Sequence, residues 1–160
     1  MRLDSRAKLG IIAFVTILIA AALMHSGLTR VFGIAPNLVL VSLVVFSFFS
    51  DNILFFALLT ILGSILVRAT PAIFDPLATV TTVLALLVFI FERRMVWPGS
   101  VGTAIMVGIT TVLTYAFINL SFLASHFGLV LAELVYNVVI GLILFECVHL
   151  VIGRRMRNAR

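Results

Sequence analysis

The last apolar stretch of the chain is interrupted by four side chains that are foreign to hydrocarbon: Glu133, Asn137, Glu146 and His149. A carboxylate at bilayer depth is costly, so such a residue is either paired with another polar group or part of a functional site. At 100° per residue, Glu133, Asn137 and Gly141 fall within about 80° on one helix face, with Glu133 and Asn137 one turn apart. Two kinds of chemistry suit this short polar stripe. One is hydrogen bonding to a neighbouring helix, with Asn119 or a threonine of the preceding segment as partner; the other is contact with a partner's transmembrane helix or a small bound solute. A proton relay would need a row of acidic residues on successive helices, which the chain lacks. Glu133 is about six residues, or roughly 9 Å of rise, into the helix from Phe127, a shallow position. Glu146 and His149 occupy another face, about 60° apart, near Gly153 and the terminal arginines, where lipid headgroups are the expected surroundings.

Other groups that do chemistry are sparse. His25, His126 and His149 do not read as a metal set, because the topology below puts the first two at the outer surface and the third near the inner one. They cannot share an ion at the ~2.0–2.1 Å that imidazole ligation requires. Cys147 is the only cysteine, which excludes an intramolecular disulfide or a cysteine zinc site and reads as a packed, inert thiol. No HExxH, GxSxG, P-loop or dinucleotide turn occurs. The chain therefore reads as non-enzymatic, with no cofactor.

The elements that must position these residues follow from composition. Of the 160 residues, 63% are hydrophobic and 11% charged, with a mean hydropathy of +1.31; soluble domains have an apolar share nearer ~45–50%. Six apolar runs, at 9–24, 36–49, 53–67, 76–91, 101–123 and 127–152, read as helices of a single transmembrane domain over 1–160. If the chain crosses six times with both termini inside, Arg2, Arg6, Lys8, Arg93, Arg94, Arg154, Arg155, Arg157 and Arg160 are cytoplasmic and only Arg30 and Arg68 lie outside, nine against two. That asymmetry is the observed orientation rule for short loops. The net charge of +5 is thus read as topology and contact with anionic headgroups, with no indication of nucleic acid. Loops this short leave no room between helices for a soluble enzyme domain. Basic Arg2, Arg6 and Lys8 ahead of an apolar stretch and Ala20, Ala21 and Ala22 superficially match a secretory signal. The run continues beyond a usual signal core, and a retained helix is what makes the charge count consistent.

Spanning ~30 Å of hydrocarbon takes about 20 helical residues. The second and third runs are shorter and are joined by Ser50, Asp51 and Asn52, which suit a tight turn; they are read as two short crossings in preference to a re-entrant hairpin buried in protein. Pro36 suits a first helical turn, Asp75-Pro76 reads as an N-cap with proline at the first position, and Ser100 after Pro98 and Gly99 reads as another cap. Trp97 beside Arg93 and Arg94 reads as an interfacial anchor. Gly102, Thr103, Gly108, Thr110, Thr111 and Thr114 permit close helix packing in the fifth segment. Thr79, Thr81 and Thr82 near Asp75 leave open an outward-facing polar vestibule, although a plain Arg68 to Asp75 surface pair is the simpler expectation.

At Ala35-Pro36-Asn37-Leu38-Val39-Leu40 and at Ala132-Glu133-Leu134-Val135-Tyr136-Asn137 the chain resembles the MreD family, the small membrane subunit of the bacterial rod-shape machinery. The family opens its second helix with a proline, a polar residue and leucines, and carries a Tyr-Asn pair in its last helix. The resemblance implies an all-α integral membrane protein, a six-helix bundle similar to the substrate-binding subunits of energy-coupling-factor vitamin transporters, with a scaffolding role. It implies association with an MreC-like bitopic membrane protein and, through it, with the glycosyltransferase and transpeptidase that build lateral cell wall, in the bacterial plasma membrane. Pro36, Asn37, Tyr136 and Asn137 match the family pattern. Glu133 is their neighbour, and these five are the expected partner-binding residues.

The rival reading is a substrate-binding subunit of a vitamin or small-solute transporter of the same fold. Such subunits carry an Ala-x-x-x-Ala docking surface on the first helix, whereas here Ala13 is followed four later by Ile17. A vitamin site also needs several convergent polar or aromatic groups, and two tyrosines and one tryptophan offer few. A self-contained channel would need pore-lining polar residues on several helices.

Overall fold

The computed structural model describes residues 5–30, 34–67, 75–94 and 99–156. Among these, the chain forms seven helices: α1 Ser5–Ser26, α2 Leu38–Ser47, α3 Ile53–Val67, α4 Pro76–Glu92, α5 Gly99–Ile118, α6 Leu120–Ser125 and α7 Phe127–Met156. Three of them contain stretches long and apolar enough to cross a membrane, Ala7–Ser26, Gly99–Ile118 and Phe127–Ile152. The others are shorter. At ~1.5 Å per residue, α2 rises only about 15 Å and α3 about 22 Å.

The helices are inverted relative to those of a water-soluble protein. On α3, Leu54, Leu58, Ile61 and Ile65 are 73%, 68%, 51% and 53% exposed, while Thr60, Gly63 and Ser64 are buried. On α5, Gly102, Thr103, Thr110, Thr111 and Thr114 face inward and Val101, Ile109 and Phe117 face out. In lipid nothing drives apolar surface inward, so close packing by small residues holds the helices together. The inward hydroxyls return their protons to carbonyls of their own helix, as in Thr60 to Phe56 O, Thr110 to Met106 O and Thr114 to Thr110 O. The exception is the buried Thr81 hydroxyl, which has no partner among the described residues.

α2 is the axis of the bundle. All ten of its residues are buried, and it packs against α1, α3, α4, α5 and α7. Its Val-rich sequence has strand-like propensity, but a helix satisfies its own backbone where no water is available. Gly63 of α3 packs against its Val39 and Leu43 and Gly141 of α7 against its Val41, while α3 and α4 meet beside it through Phe56 stacked on Phe89 at 4.7 Å.

Helix boundaries depart from expectation in three places. Pro36 does not occupy a helical turn: Asn37 is the N-cap of α2, its side chain accepting the Leu40 N–H, so the proline lies before the cap. Ser100 lies inside α5, which begins at Gly99 where the Phe145 ring leaves no space for a side chain. The fifth run, expected to be continuous over 101–123, breaks at Asn119, whose side chain turns back to accept the Phe122 N–H and start α6. Asparagine competes with helix continuation through this local bond.

Asp75 caps α4 with Pro76 at the start of the helix, accepting the Leu77 and Ala78 N–H groups. It is buried; Arg68, its expected surface partner, and Trp97 lie outside the described residues. Thr81 is fully buried, Thr82 is half-buried and bonds Ser64 and Ala78 O, and only Thr79 is exposed, donating to Asp75 O, so the three hydroxyls do not open together onto a vestibule. Asp75→Ala is expected to destabilise the fold by about 1–2 kcal/mol, read as a lower unfolding midpoint in detergent, and Asp75→Asn to recover most of that loss.

Contacts between helix ends define two distinct ends of the bundle. Arg93 donates to Asp51 O and lies over the Phe89 ring, tying the end of α4 to the α2–α3 turn. Phe145 of α7 meets Phe48 and Phe49 at that same end. At the other end His25 bonds Leu66 O and the Tyr136 O–H donates to Thr29 O.

Candidate functional site

The second of these ends is where α1, α3 and α5 finish and α2, α4 and α7 begin. α7 places Glu133 and Asn137 one helical turn apart, and both are buried. α5 presents Thr111 and Tyr115 with the same four-residue spacing. The two pairs meet across the α5–α7 interface.

Tyr115 donates its hydroxyl proton to Glu133 Oε2. The Asn137 Nδ2 donates to Thr111 Oγ1 at 3.1 Å and more weakly to Glu133 Oε1 at 3.5 Å, while the Thr111 hydroxyl donates to Val107 O at 2.8 Å. Each carboxylate oxygen thus receives one neutral donor. The Oδ1 of Asn137 receives none, although Asn137 is 0% exposed. A buried acceptor left without a donor costs roughly 1–3 kcal/mol. Of the two sequence-level expectations for Glu133, the helix-to-helix bond is present, with a different partner: Tyr115 takes the place of Asn119, which is committed to Phe122 N–H and Ser121. The threonine bond goes to Asn137.

These groups border a cavity of about 460 Å³. Met24, Thr29 and Arg30 line it from the end of α1, Ala35, Pro36, Asn37 and Leu40 from the start of α2, and Leu77 from α4. The α5–α6 bend contributes Thr111, Thr114, Tyr115, Ile118, Asn119 and Phe122, and α7 contributes Glu133 and Asn137. The bend at Asn119 matters here, since it stacks Phe122 on Tyr115 at 5.6 Å and lets His126 stack on Phe122 at 4.5 Å. Four of the five residues singled out in the sequence, Pro36, Asn37, Glu133 and Asn137, therefore converge on one cavity. The fifth, Tyr136, is half-buried beside them and ties α7 to Thr29.

Sequence reasoning missed Tyr115, and it assigned Arg30 to topology alone. The i, i+4 spacing of Thr111 and Tyr115, matching that of Glu133 and Asn137, was the available signal for the first. Cys147 also departs from expectation: it is exposed on the outer face of α7, not packed. Glu146 and His149 are both more than half exposed and 3.9 Å apart near the opposite end of α7. Among the described residues no three His, Cys, Asp or Glu side chains come together as a metal set.

No protein-family model, curated protein or solved structure matches the chain. The fold and site define a class: an all-helical protein with three helices long and apolar enough to cross a membrane, bearing a cavity with polar side chains at one end of the bundle.

Proposed function

We propose that this chain is a non-enzymatic scaffold subunit of the bacterial lateral cell-wall synthesis machinery, of the MreD type, embedded in the plasma membrane. The observation that carries the reading is the convergence of its two motif segments. Pro36 with Asn37, and Glu133 with Asn137, are about a hundred residues apart in sequence and border the same cavity. Unrelated coincidences of sequence have no reason to meet.

The topology proposed is six crossings with both termini cytoplasmic. It is supported by charge: Lys8, Arg93 and Arg94 belong to one end of the bundle and Arg30 to the other, in the sense of the orientation rule. The shortness of α2 is compatible with it, because non-helical backbone at membrane depth is tolerated where protein surrounds it. The partners are an MreC-like bitopic protein and, through it, a glycosyltransferase and transpeptidase. Since four of the five expected contact residues are buried, they act by shaping the outer rim, where Arg30 and Asn119 are exposed and Tyr136 is half-exposed.

The test is affinity purification of the tagged protein from its own membranes in mild detergent, with bound proteins identified by mass spectrometry. Recovery of an MreC-like protein together with cell-wall synthases is expected, and Arg30→Glu should weaken it. Recovery of a coupling subunit with paired ATPases would instead establish the second reading, a solute-binding transporter subunit. One observation favours that alternative: the cavity lies within the ~300–1,000 Å³ range of small-molecule sites.

A further inference from the structure

Among the described residues the buried carboxylate of Glu133 has no cationic partner. It is 8% exposed and its hydrogen-bond donors, Tyr115 and Asn137, are both neutral. Among the described residues the one acid–base contact, at 3.9 Å, is Glu146 with His149. A buried charge without a counter-charge is costly, and an ion that enters beside it removes much of that cost. The unsatisfied Oδ1 of Asn137 adds a second acceptor at the same place. Its amide nitrogen is 3.5 Å from Glu133 Oε1, so Oδ1 lies no more than about 6 Å from that oxygen, a gap that one N–H-bearing cation can bridge with two charge-assisted bonds.

The same cavity carries the opposite charge elsewhere. Arg30 lines it from the end of α1, exposed and without an acidic partner among the described residues. The N-cap Asn37 and the first turn of α2 border it too, and a helix N-terminus favours negative charge. Met24, Leu77, Ile118 and Phe122 supply an apolar part of the wall, beside the hydroxyls of Thr29, Thr114 and Tyr115.

We infer that this cavity binds a zwitterionic amphiphile, its ammonium group at Glu133, its anionic group toward Arg30 and its apolar part against α1, α4 and the α5–α6 bend. Two sources supply that chemistry: the headgroup of an aminophospholipid from the surrounding bilayer, or a free apolar amino acid. The inference goes beyond the scaffold reading, since it concerns what fills the cavity whichever protein docks outside it. It is tested on the purified protein alone, so it stands or falls separately from co-purification.

The experiment measures the unfolding midpoint in detergent, and binding by native mass spectrometry, with two pairs of probes. Phosphatidylethanolamine is compared with phosphatidylglycerol, and tryptophan with indole-3-propionate; within each pair only the first carries an ammonium group. Stabilisation by one or both ammonium-bearing probes and not by their counterparts is expected, and the pair that responds identifies the source. Glu133→Gln should weaken the responding probe about tenfold or more, the loss of one charge-assisted bond. Arg30→Gln, at an exposed position, supplies the same test if the glutamine variant does not fold. Equal response to both members of each pair, unchanged affinity in a folded Glu133→Gln or Arg30→Gln protein, or no binding of any probe overturns the inference.

Discussion

Replacing Gly141 with leucine is expected to abolish folded protein or to lower the unfolding midpoint more than any other single change considered. Gly141 lies where α7 crosses both α5 and α2. A Cβ added there would approach Val107 Cγ2 to 3.1 Å and Val41 Cγ1 to 3.5 Å. Alanine therefore already forces Val107 to give way slightly, and leucine has nowhere to place its remaining carbons without separating the helices. Overpacking of this kind costs about 1–3 kcal/mol in a well-packed core and more where the backbone must move. In a membrane bundle the loss falls directly on the van der Waals contacts that supply most of the association. Gly128, on the first turn of the same helix, is the internal control. Nothing lies within 4 Å of a Cβ built there, so Gly128→Leu should leave the midpoint within experimental error. Circular dichroism melts and gel-filtration profiles of the two variants make the comparison; equal behaviour would mean that the α2–α5–α7 contact is not as tight as described.

The second large effect concerns the pair Tyr115 and Glu133, where two single substitutions should be worse than their combination predicts. Tyr115→Phe takes the donor from one carboxylate oxygen, leaving Glu133 with only the long bond from Asn137. Glu133→Leu leaves the tyrosine hydroxyl without its acceptor. Each single change costs about 1–3 kcal/mol, the penalty for a polar group left unsatisfied in a buried site. The double variant removes both polar groups together, and an apolar replacement of both partners is close to neutral. A double-mutant cycle should therefore return a favourable coupling of about 2 kcal/mol, at or just above the largest measured for polar contacts between membrane helices. Additive losses would show that the two groups do not interact.

Several features of the site were legible because they depend on what a residue is and on helical spacing alone. Glu133 and Asn137 stood out as polar groups in an apolar run, and 100° per residue put them on one face. Asp75-Pro76 announced the start of α4 by the chemistry of capping. The break at Asn119 was not anticipated, although it decides the shape of the cavity. Its apolar flanks look continuous, and only a local side-chain bond to Phe122 N–H interrupts them. Pro36 was likewise placed one step too far along, since Asn37 competes for the same boundary and its side chain makes the cap. Cys147 was misjudged because hydrophobicity in a membrane helix does not distinguish the face toward protein from the face toward lipid.

By itself the sequence determined that the chain is helical, that its surface is apolar and where nearly every long helix lies, because backbone satisfaction in hydrocarbon leaves few alternatives and composition reports the surroundings directly. Only the tertiary structure decided which side chains meet. Neither hydropathy nor periodicity says that α2 is the buried axis, that Tyr115 reaches Glu133, or that Arg30 and Glu133 border one cavity about 460 Å³ in volume. Those facts depend on how helices distant in sequence are rotated and packed against one another, and that rotation is set by the small residues at their crossings, Gly63 and Gly141 among them.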